Sequence, residues 1–258
     1  AQWNDGWEAG NEQYVAKIQP IMVDISSTQN QGYSADPAME AAQAFARHLS
    51  DAGITVDGDA SRAAASSGAK ELASVSSAPL SDILALSLKT SDNTMTEVEG
   101  RLVAVQAKET ADFAGASKAV AAQLRKDGFD TSGLTLLDSS GLAKGNKVPA
   151  RLLTQILARS AGDKGGSAGR TLIADLPVGA LDGTLGNRLH DTAAAGTVRA
   201  KTGSLEQTSS LAGVVTTADG RLLAFSILTN DFPANGSTAA AAAIDNHFVA
   251  PLAACGCS

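Results

Sequence analysis

The sequence is poor in aromatic residues and in cysteine, and it carries no excess of positive charge. Only 4% of its 258 residues are aromatic, so a core must be built mainly from Ala, Val, Leu and Ile. The net charge of -7 disfavours binding to nucleic acid or to an anionic membrane through bulk charge. No apolar run approaches the roughly 18 residues of a membrane-spanning helix. A globular composition remains, sufficient for one large domain or for one domain and a smaller piece.

The two ends of the chain bear on where the protein works. The first residues, AQWNDGWEAG, have neither the basic start nor the apolar stretch of a signal peptide. We therefore expect a cytoplasmic protein, a processed mature protein or a fragment. Cys255 and Cys257 stand near the C-terminus, and no other cysteine or clustered histidine accompanies them, which disfavours a metal site. A local disulfide, two free thiols and a buried apolar pair remain possible; the disulfide fits an exported protein.

Helical patterns fill the middle of the chain, and strand patterns dominate its last third. Asp36 followed by Pro37 is an N-cap signal, and helical periodicity follows it. Asp219-Gly220 between two apolar runs indicates a two-residue hairpin. Further helices are predicted over 77–90, 93–106, 111–128, 149–161 and 237–254, and further strands over 12–27, from 54, from 134 and over 198–205. The layout predicts an α+β fold.

The predicted strand VRAKTGSL places Lys201 beside Thr202, Gly203 and Ser204. A lysine flanked by hydroxyl groups can hold a carboxylate, and a glycine lets a substrate backbone approach closely. An exposed strand of small polar residues would look the same, so the triplet alone is weak. The three histidines, His48, His190 and His247, have no spacing that would make one of them a catalytic base or a metal ligand.

A second motif strengthens the first. Ser91, Asp92 and Asn93 lie at the break between two predicted helices, upstream of Lys201. Ser-Asp-Asn followed by Lys-Thr-Gly gives two of the three motifs shared by penicillin-binding proteins and class A β-lactamases. The predicted hairpin directly after Lys-Thr-Gly fits that fold.

The chain resembles the class C penicillin-binding proteins, which are D-alanyl-D-alanine carboxypeptidases of peptidase family S13. The resemblance is closest to the penicillin-binding protein 4 (DacB) type of actinobacteria. It is carried by SAPLSDILALSLKTSDN, LLDSSGLAKGNKVPARLLTQIL, LPVGALDGTLGNRL, VRAKTGSLEQTSSLAGVVTTADGRLLAFSIL and LAACGC. Where the family usually has Gly and Ser in the DSSGLA stretch, this chain has Ser139 and Ala143.

The resemblance implies a function and a set of roles. It implies a serine-type carboxypeptidase, and possibly an endopeptidase, that cleaves peptidoglycan stem peptides through an acyl-enzyme and is inhibited by β-lactams. It implies an exported protein of the periplasm or cell envelope, with no cofactor and no nucleic-acid partner. The implied catalytic residues are Ser91, Asn93 and Lys201, and the implied substrate-binding residues are Thr202, Gly203 and Ser204. Asp92 would stabilise the turn.

The family's nucleophile is the serine of a Ser-x-x-Lys motif, which this sequence lacks in a suitable setting. The one literal match, Ser67 to Lys70 in SGAK, lies in a loose stretch only 24 positions before Ser91 (91 − 67). We therefore expect the nucleophile on an N-terminal portion of the same gene product, which would be a partner of this chain. Residues 1–65 are then the end of an inserted domain and a linker, and 66–258 the main part of the acyl-transfer domain. A pseudoenzyme that binds peptidoglycan without cleaving it and a β-lactamase-like hydrolase are the rivals.

Overall fold

The computed structural model describes residues 3–24, 32–64 and 66–256. The chain divides into two compact units. The first consists of Ala1–Ala78, Asn93–Ala119 and Leu137–Gly145, and the second of Pro79–Asp92, Val120–Leu136 and Asn146–Ser258. The predicted division into an inserted domain and an acyl-transfer domain at residue 65 stays a prediction.

Helices and strands follow the predicted α+β order. The helices are α1 (Pro37–Asp51), α2 (Leu80–Thr90), α3 (Asn93–Gln106), α4 (Phe113–Lys126), α5 (Ala150–Ala161), α6 (Gly166–Asp175), α7 (Ser237–Ile244) and α8 (Ala250–Ala254). A π-helical stretch, Asp245–Val249, joins α7 to α8. The strands are β1 (Val198–Leu205), β2 (Thr208–Thr216) and β3 (Leu222–Asn230). None of the helices in the described residues is long and apolar enough to cross a bilayer.

The second unit is built on an antiparallel sheet in the order β1-β2-β3. Its core cluster joins residues of β1, β2 and β3 to residues of the C-terminal helices, among them Val198, Leu211, Phe225, Ile244 and Val249. Because side chains alternate along a strand, Val198 and Ala200 face this core while Lys201 and Gly203 face the other side of the sheet. The helix α5 packs against β2 and β3.

The first unit is organised around a fully buried carboxylate on α3. Glu97 is 0% exposed, and its Oε1 accepts hydrogen bonds from the backbone N–H groups of Ser139 and Ser140 at 2.9 and 2.8 Å. Its Oε2 pairs with Arg101 Nη1 at 3.1 Å. Asp138, at the start of the same loop, accepts from Trp7 Nε1 at 2.8 Å. These bonds fix the loop 138–143 on α3, the helix that begins with Asn93.

Three predicted strands are wrong for the described residues. Of residues 12–27, those described end at 24 and form no strand, since Pro20 lacks an N–H and Val15 and Ile18 are buried three apart rather than in alternation. Described residues from 54 to 79 contain neither helix nor strand, and most of them are exposed. Near residue 134 there is only an isolated bridge between Thr135 and Lys147. Helix α6 was not predicted, because two glycines, Gly166 and Gly169, interrupt its pattern.

Candidate active site

Ser91 is placed at the end of α2 by a left-handed turn. It is the C-cap residue, with φ 57° and ψ 45°, and its N–H donates to the Ser87 carbonyl oxygen. The N–H of Asp92 donates to the same carbonyl oxygen at 3.2 Å. A non-glycine residue in this conformation is strained, and such strain often marks functional sites. The turn projects the Ser91 hydroxyl away from the helix.

Lys201 on β1 meets Ser91 across 110 residues of sequence. Its Nζ donates to Ser91 Oγ at 2.5 Å and to the Thr202 carbonyl oxygen at 3.1 Å. Burial lowers the pKa of Lys201 from 10.5 to about 8, because desolvation disfavours the ammonium form. Since an ammonium group only donates, Ser91 Oγ must accept, which leaves the serine proton free for another acceptor.

The outer edge of β1 offers backbone groups beyond Ala200. The N–H of Ala200 points outward, to the Pro177 carbonyl oxygen at 2.9 Å. Backbone direction alternates in an antiparallel strand, so the N–H groups of Thr202 and Ser204 also point outward. In the part of the chain that the structure describes, no backbone group bonds to this edge from Thr202 to Leu205. The edge is therefore open to an extended peptide.

Gly203 lies on the side of the sheet that carries Lys201. It pairs with Ser210 of β2, and a Cβ added to Gly203 would lie 2.4 Å from Ser210 Oγ. A larger residue at this position would have to displace the Ser210 hydroxyl group. Glycine therefore keeps this face of β1 flat, while Ser204 next to it is exposed.

The loop 176–189 holds Thr202 and the end of α2. Lys89, two residues before Ser91, donates to the Leu176 carbonyl oxygen at 2.7 Å and pairs with Asp182 Oδ2 at 2.7 Å. Partial burial works to raise the pKa of Asp182, but the Lys89 ammonium and the Val178 N–H outweigh it, and the pKa is lowered. On the other side, Thr184 Oγ1 hydrogen-bonds Thr202 Oγ1 at 2.9 Å.

Asn93 belongs to the first unit, as the first residue of α3. Its amide Nδ2 donates to the Tyr14 carbonyl oxygen at 3.1 Å, and the next residue, Thr94, accepts from the Ala16 N–H at 3.0 Å. The segment 14–16 is thus tied to the start of α3. A role of Asn93 beside Ser91 and Lys201 stays a prediction.

In the described residues, neither the Ser-x-x-Lys match nor a histidine hydrogen-bonds Ser91 or Lys201, although His190 Nε2 hydrogen-bonds the Gly186 carbonyl oxygen of the loop 176–189 at 2.9 Å. Ser67 and Lys70 are both exposed and neither is on a helix; Ser67 lies in a turn closed by a hydrogen bond from the Ala69 N–H to the Ser66 carbonyl oxygen. The histidines His48, His190 and His247 are all exposed. Cys255 is disulfide-bonded, and Cys257, the one other cysteine of the sequence, lies outside the described residues.

Sequence reasoning missed Lys89, Asp182 and Thr184. A signal was available, since Lys89 directly precedes the Thr-Ser-Asp-Asn run and LDGTLG lies in a stretch that carries the family resemblance. Neither pattern names a chemistry by itself. Only the folded loop shows that one segment contacts both the helix end that bears Ser91 and the strand that bears Lys201.

Comparisons with known proteins identify the family of the chain. The family model of the D-Ala-D-Ala carboxypeptidase 3 (S13) family matches residues 11–250. Carboxypeptidase DacB of Mycolicibacterium smegmatis is 38% identical over 251 residues, which are 94% of this chain and 53% of that protein. A carboxypeptidase of Mycobacterium tuberculosis is 39% identical over 235 residues, covering 87% of this chain and 50% of that protein. The chain thus spans about half the length of these relatives.

A solved structure supports the fold. The crystal structure of penicillin binding protein 4 (dacB) from Haemophilus influenzae, complexed with a β-lactam, matches with a TM-score of 0.70 at 30% identity. The match covers 77% of this chain and 46% of that one. The predicted α+β fold of the penicillin-binding protein and β-lactamase type is confirmed by this likeness.

Proposed function

Because the chain belongs to the D-Ala-D-Ala carboxypeptidase 3 (S13) family, we propose that it forms part of a serine-type D-alanyl-D-alanine carboxypeptidase of the cell envelope. Its substrates are peptidoglycan stem peptides, which it cleaves as a carboxypeptidase, and β-lactams inhibit it. The observation that carries the proposal is the 2.5 Å bond from Lys201 Nζ to Ser91 Oγ. It joins the Ser-Asp-Asn and Lys-Thr-Gly motifs, which would have no reason to meet in a purely structural domain.

The nucleophile is a serine of a Ser-x-x-Lys motif on the N-terminal portion of the same gene product. Two observations support this. The relatives are about twice as long as the chain, which covers 53% and 50% of them. In the described residues β3 has a neighbouring strand on one side only, and Leu222 at its start is 52% exposed. A further strand of the N-terminal portion would cover this edge.

The proposed reaction combines groups of the second unit with the nucleophile of the N-terminal portion. The serine oxygen attacks the carbonyl carbon between the two D-alanines, and the peptide C–N bond breaks to give an acyl-enzyme. The lysine of the Ser-x-x-Lys motif takes the proton of the attacking serine. Ser91, whose oxygen accepts a hydrogen bond from Lys201, passes its own proton to the leaving amine and regains one from that lysine. The outward N–H of Ser204 is one oxyanion donor, and the N–H of the nucleophile is the other. Water then hydrolyses the ester and releases the shortened peptide.

Substrate recognition uses the same edge of β1. The stem peptide lies beside β1 as an added strand, and Gly203 lets it come close. The terminal carboxylate binds the hydroxyl groups of Thr202 and Ser204, in the positive potential of Lys201. Asn93 holds the amide on the acyl side of the scissile bond.

The test is covalent labelling with a penicillin. The chain is incubated with the labelled drug, with and without its N-terminal portion, and each preparation is analysed by intact mass and peptide mapping. We expect a label only when both portions are present, located on the N-terminal one, and we expect Ser91→Ala to slow labelling at least tenfold. The variant Ser67→Ala serves as the control, because Ser67 lies in an exposed turn.

Other results would favour the alternatives. A label on Ser67 of the chain alone would overturn the assignment of the nucleophile. Absence of labelling in both preparations would favour a peptidoglycan-binding pseudoenzyme, in which Ser91 and Lys201 form a groove without an attacking group. That second candidate is favoured by one observation: in the described residues the only Ser-x-x-Lys, at Ser67, is not on a helix.

A further inference from the structure

Thr202 has a partner that the proposed reaction does not use. Its Oγ1 hydrogen-bonds Oγ1 of Thr184 at 2.9 Å, and both side chains are half-buried. Thr184 lies in the single 3-10 turn Gly183–Leu185 of the loop 176–189. The two hydroxyl groups come from different segments, so the contact depends on how this loop is held against β1.

The loop leaves Thr184 little freedom to move. Leu185, the next residue, is 0% exposed in the core, and its carbonyl oxygen accepts from the Ala180 N–H at 3.0 Å. Asp182, two residues earlier, is fixed by Lys89. Between them, Gly183 has φ +55°, and a Cβ there would lie 2.8 Å from the Lys89 carbonyl oxygen, so only glycine fits. Thr184 is therefore anchored on both sides, with its hydroxyl aimed at Thr202.

The hydrogen bond has a direction that depends on what Thr202 binds. A threonine hydroxyl has one proton to donate and can accept on its lone pairs. The two hydroxyl oxygens lie 2.9 Å apart, so one of them donates to the other. A carboxylate accepts hydrogen bonds and donates none, so Thr202 must turn its proton toward a bound carboxylate. Its oxygen then has a free lone pair facing Thr184, and Thr184 must become the donor.

We propose that Thr184 is a positioning residue that donates to Thr202 and so adapts the site to a free C-terminal carboxylate. The inference rests on the proposed carboxypeptidase function and adds a determinant of specificity to it. The chain from Thr184 O–H to Thr202 O–H to carboxylate is polarised in one sense, which strengthens each bond. A C-terminal amide carries no full charge and presents donors as well as an acceptor, so it gains less from this chain.

The experiment compares two peptides on the full-length gene product. Both have the same sequence and end in D-alanyl-D-alanine, one as the free acid and the other as its C-terminal amide. The ratio of kcat/KM for acid over amide is measured for the wild type, Thr184→Val, Thr184→Ala and Thr184→Ser. The control is Thr197→Val, which removes a hydroxyl that donates to the Ala193 carbonyl oxygen at 2.8 Å, in the turn just before β1.

We expect Thr184→Val to lower the acid-over-amide ratio about tenfold, mainly through kcat/KM of the acid. Thr184→Ser restores the hydroxyl and should keep the wild-type ratio, as should Thr197→Val. The double variant Thr184→Val/Thr202→Val should have the ratio of Thr202→Val alone, because Thr184 acts only through Thr202. Thr184→Ala removes the same hydroxyl without adding bulk and replaces Thr184→Val if that variant does not fold.

Results that contradict the role of Thr184 differ from those that contradict the proposed function. Equal loss on both peptides in Thr184→Val and Thr184→Ala, or no loss on either, would overturn the inference while leaving the carboxypeptidase intact. A wild type that cleaves both peptides equally would remove the carboxylate role of Thr202, and the inference with it. A wild type that cleaves neither would overturn the proposed function itself.

Discussion

Lys89 and Asp182 form an ion pair at 2.7 Å that ties the end of α2 to the loop 176–189. Each partner of the pair is close in sequence to a residue of the proposed site: Lys89 comes two residues before Ser91, and Asp182 comes two residues before Thr184. The pair joins the helix end that bears Ser91 to the loop whose Thr184 hydrogen-bonds Thr202 of β1. The first prediction concerns this pair.

Asp182→Asn keeps the shape of the side chain and removes its charge. The pair is partly exposed, so we expect a loss of unfolding free energy of only about 1 kcal/mol. Penicillin acylation should fall several-fold, because Ser91 is less firmly placed.

The lowered pKa of Asp182 predicts how this effect on stability depends on pH. The stabilisation by Asp182 is present above pH 3.8, the ordinary pKa, and is lost as pH falls through the lower pKa of the folded protein. Urea unfolding from pH 3 to 7 measures the difference in unfolding free energy between Asp182→Asn and the wild type, with the exposed Asp163→Asn as control. A difference that is as large at pH 3 as at pH 7 would contradict the assignment.

The pKa of Lys201 predicts a pH dependence of folding. Its folded value of about 8 lies below the ordinary 10.5, so between these values the unfolded chain binds more protons. The free energy of unfolding should therefore rise with pH through this window, and the buried ammonium reduces stability below pH 8. Lys201→Met has no titrating group at this position, so its unfolding free energy should rise by on the order of 2 kcal/mol less than that of the wild type over this pH range. The measurement is urea unfolding of the wild type and of Lys201→Met at pH 7 and pH 10. The same change of unfolding free energy with pH in both proteins would contradict the prediction.

The same titration bears on catalysis. If the Lys201 ammonium supplies the potential for the terminal carboxylate, kcat/KM for a D-alanyl-D-alanine peptide should fall above a pH of about 8. Lys201→Arg, which cannot lose its proton in this range, should abolish that alkaline limb even though its activity is lower. The measurement is a pH profile of kcat/KM from pH 6 to 10. An unchanged limb in Lys201→Arg would assign it to another group.

Gly203→Ala tests the close packing of β1 on β2. The new methyl group would lie 2.4 Å from Ser210 Oγ, so we expect a loss of roughly 1–3 kcal/mol in unfolding free energy. Ser210→Ala removes the clashing oxygen, and the double variant should recover most of the loss. Thermal unfolding of the wild type, the two single variants and the double variant gives the four stabilities of this double-mutant cycle. Additive losses in the double variant would show that the strand itself, and not Ser210, rejects the methyl group.

Glu97→Gln tests the loop 138–143 of the first unit. The amide can still accept from the Ser139 and Ser140 N–H groups, but it leaves the Arg101 guanidinium without its buried counter-charge. Removing one partner of a buried pair typically lowers unfolding free energy by about 3 kcal/mol or more. The control is Glu109→Gln, which removes the partner of a far more exposed pair with Lys118 and should change little. Equal effects in chemical denaturation would contradict the structural role of Glu97.

The sequence allowed prediction of the elements with strong local signals. Asp36 with Pro37 and the Thr90 to Asn93 break occur where predicted, because caps and turns depend on a few neighbouring residues. A hairpin does form around Asp219-Gly220, but five residues, 217–221, separate β2 from β3, so the predicted two-residue turn is wrong. The predicted strand near residue 12 was wrong because alternation does not reveal whether a partner strand exists. The meeting of Ser91 and Lys201 could be expected from their motifs, but Asp182 and Thr184 could not, since their contacts arise only when a glycine-rich loop folds against two other segments.

In the described residues β3 pairs with a strand on one side only, and this affects how the protein behaves in solution. Residues 222–228 read LLAFSIL, seven positions without a charge, a proline or a glycine. Segments of this kind, when an edge is left bare, recruit further copies of themselves and grow into cross-β aggregates. A preparation lacking whatever normally lies beside β3 should become turbid and bind amyloid dyes as its concentration rises. The first sign of successful assembly with an N-terminal portion would then be a clear solution, well before any activity is assayed.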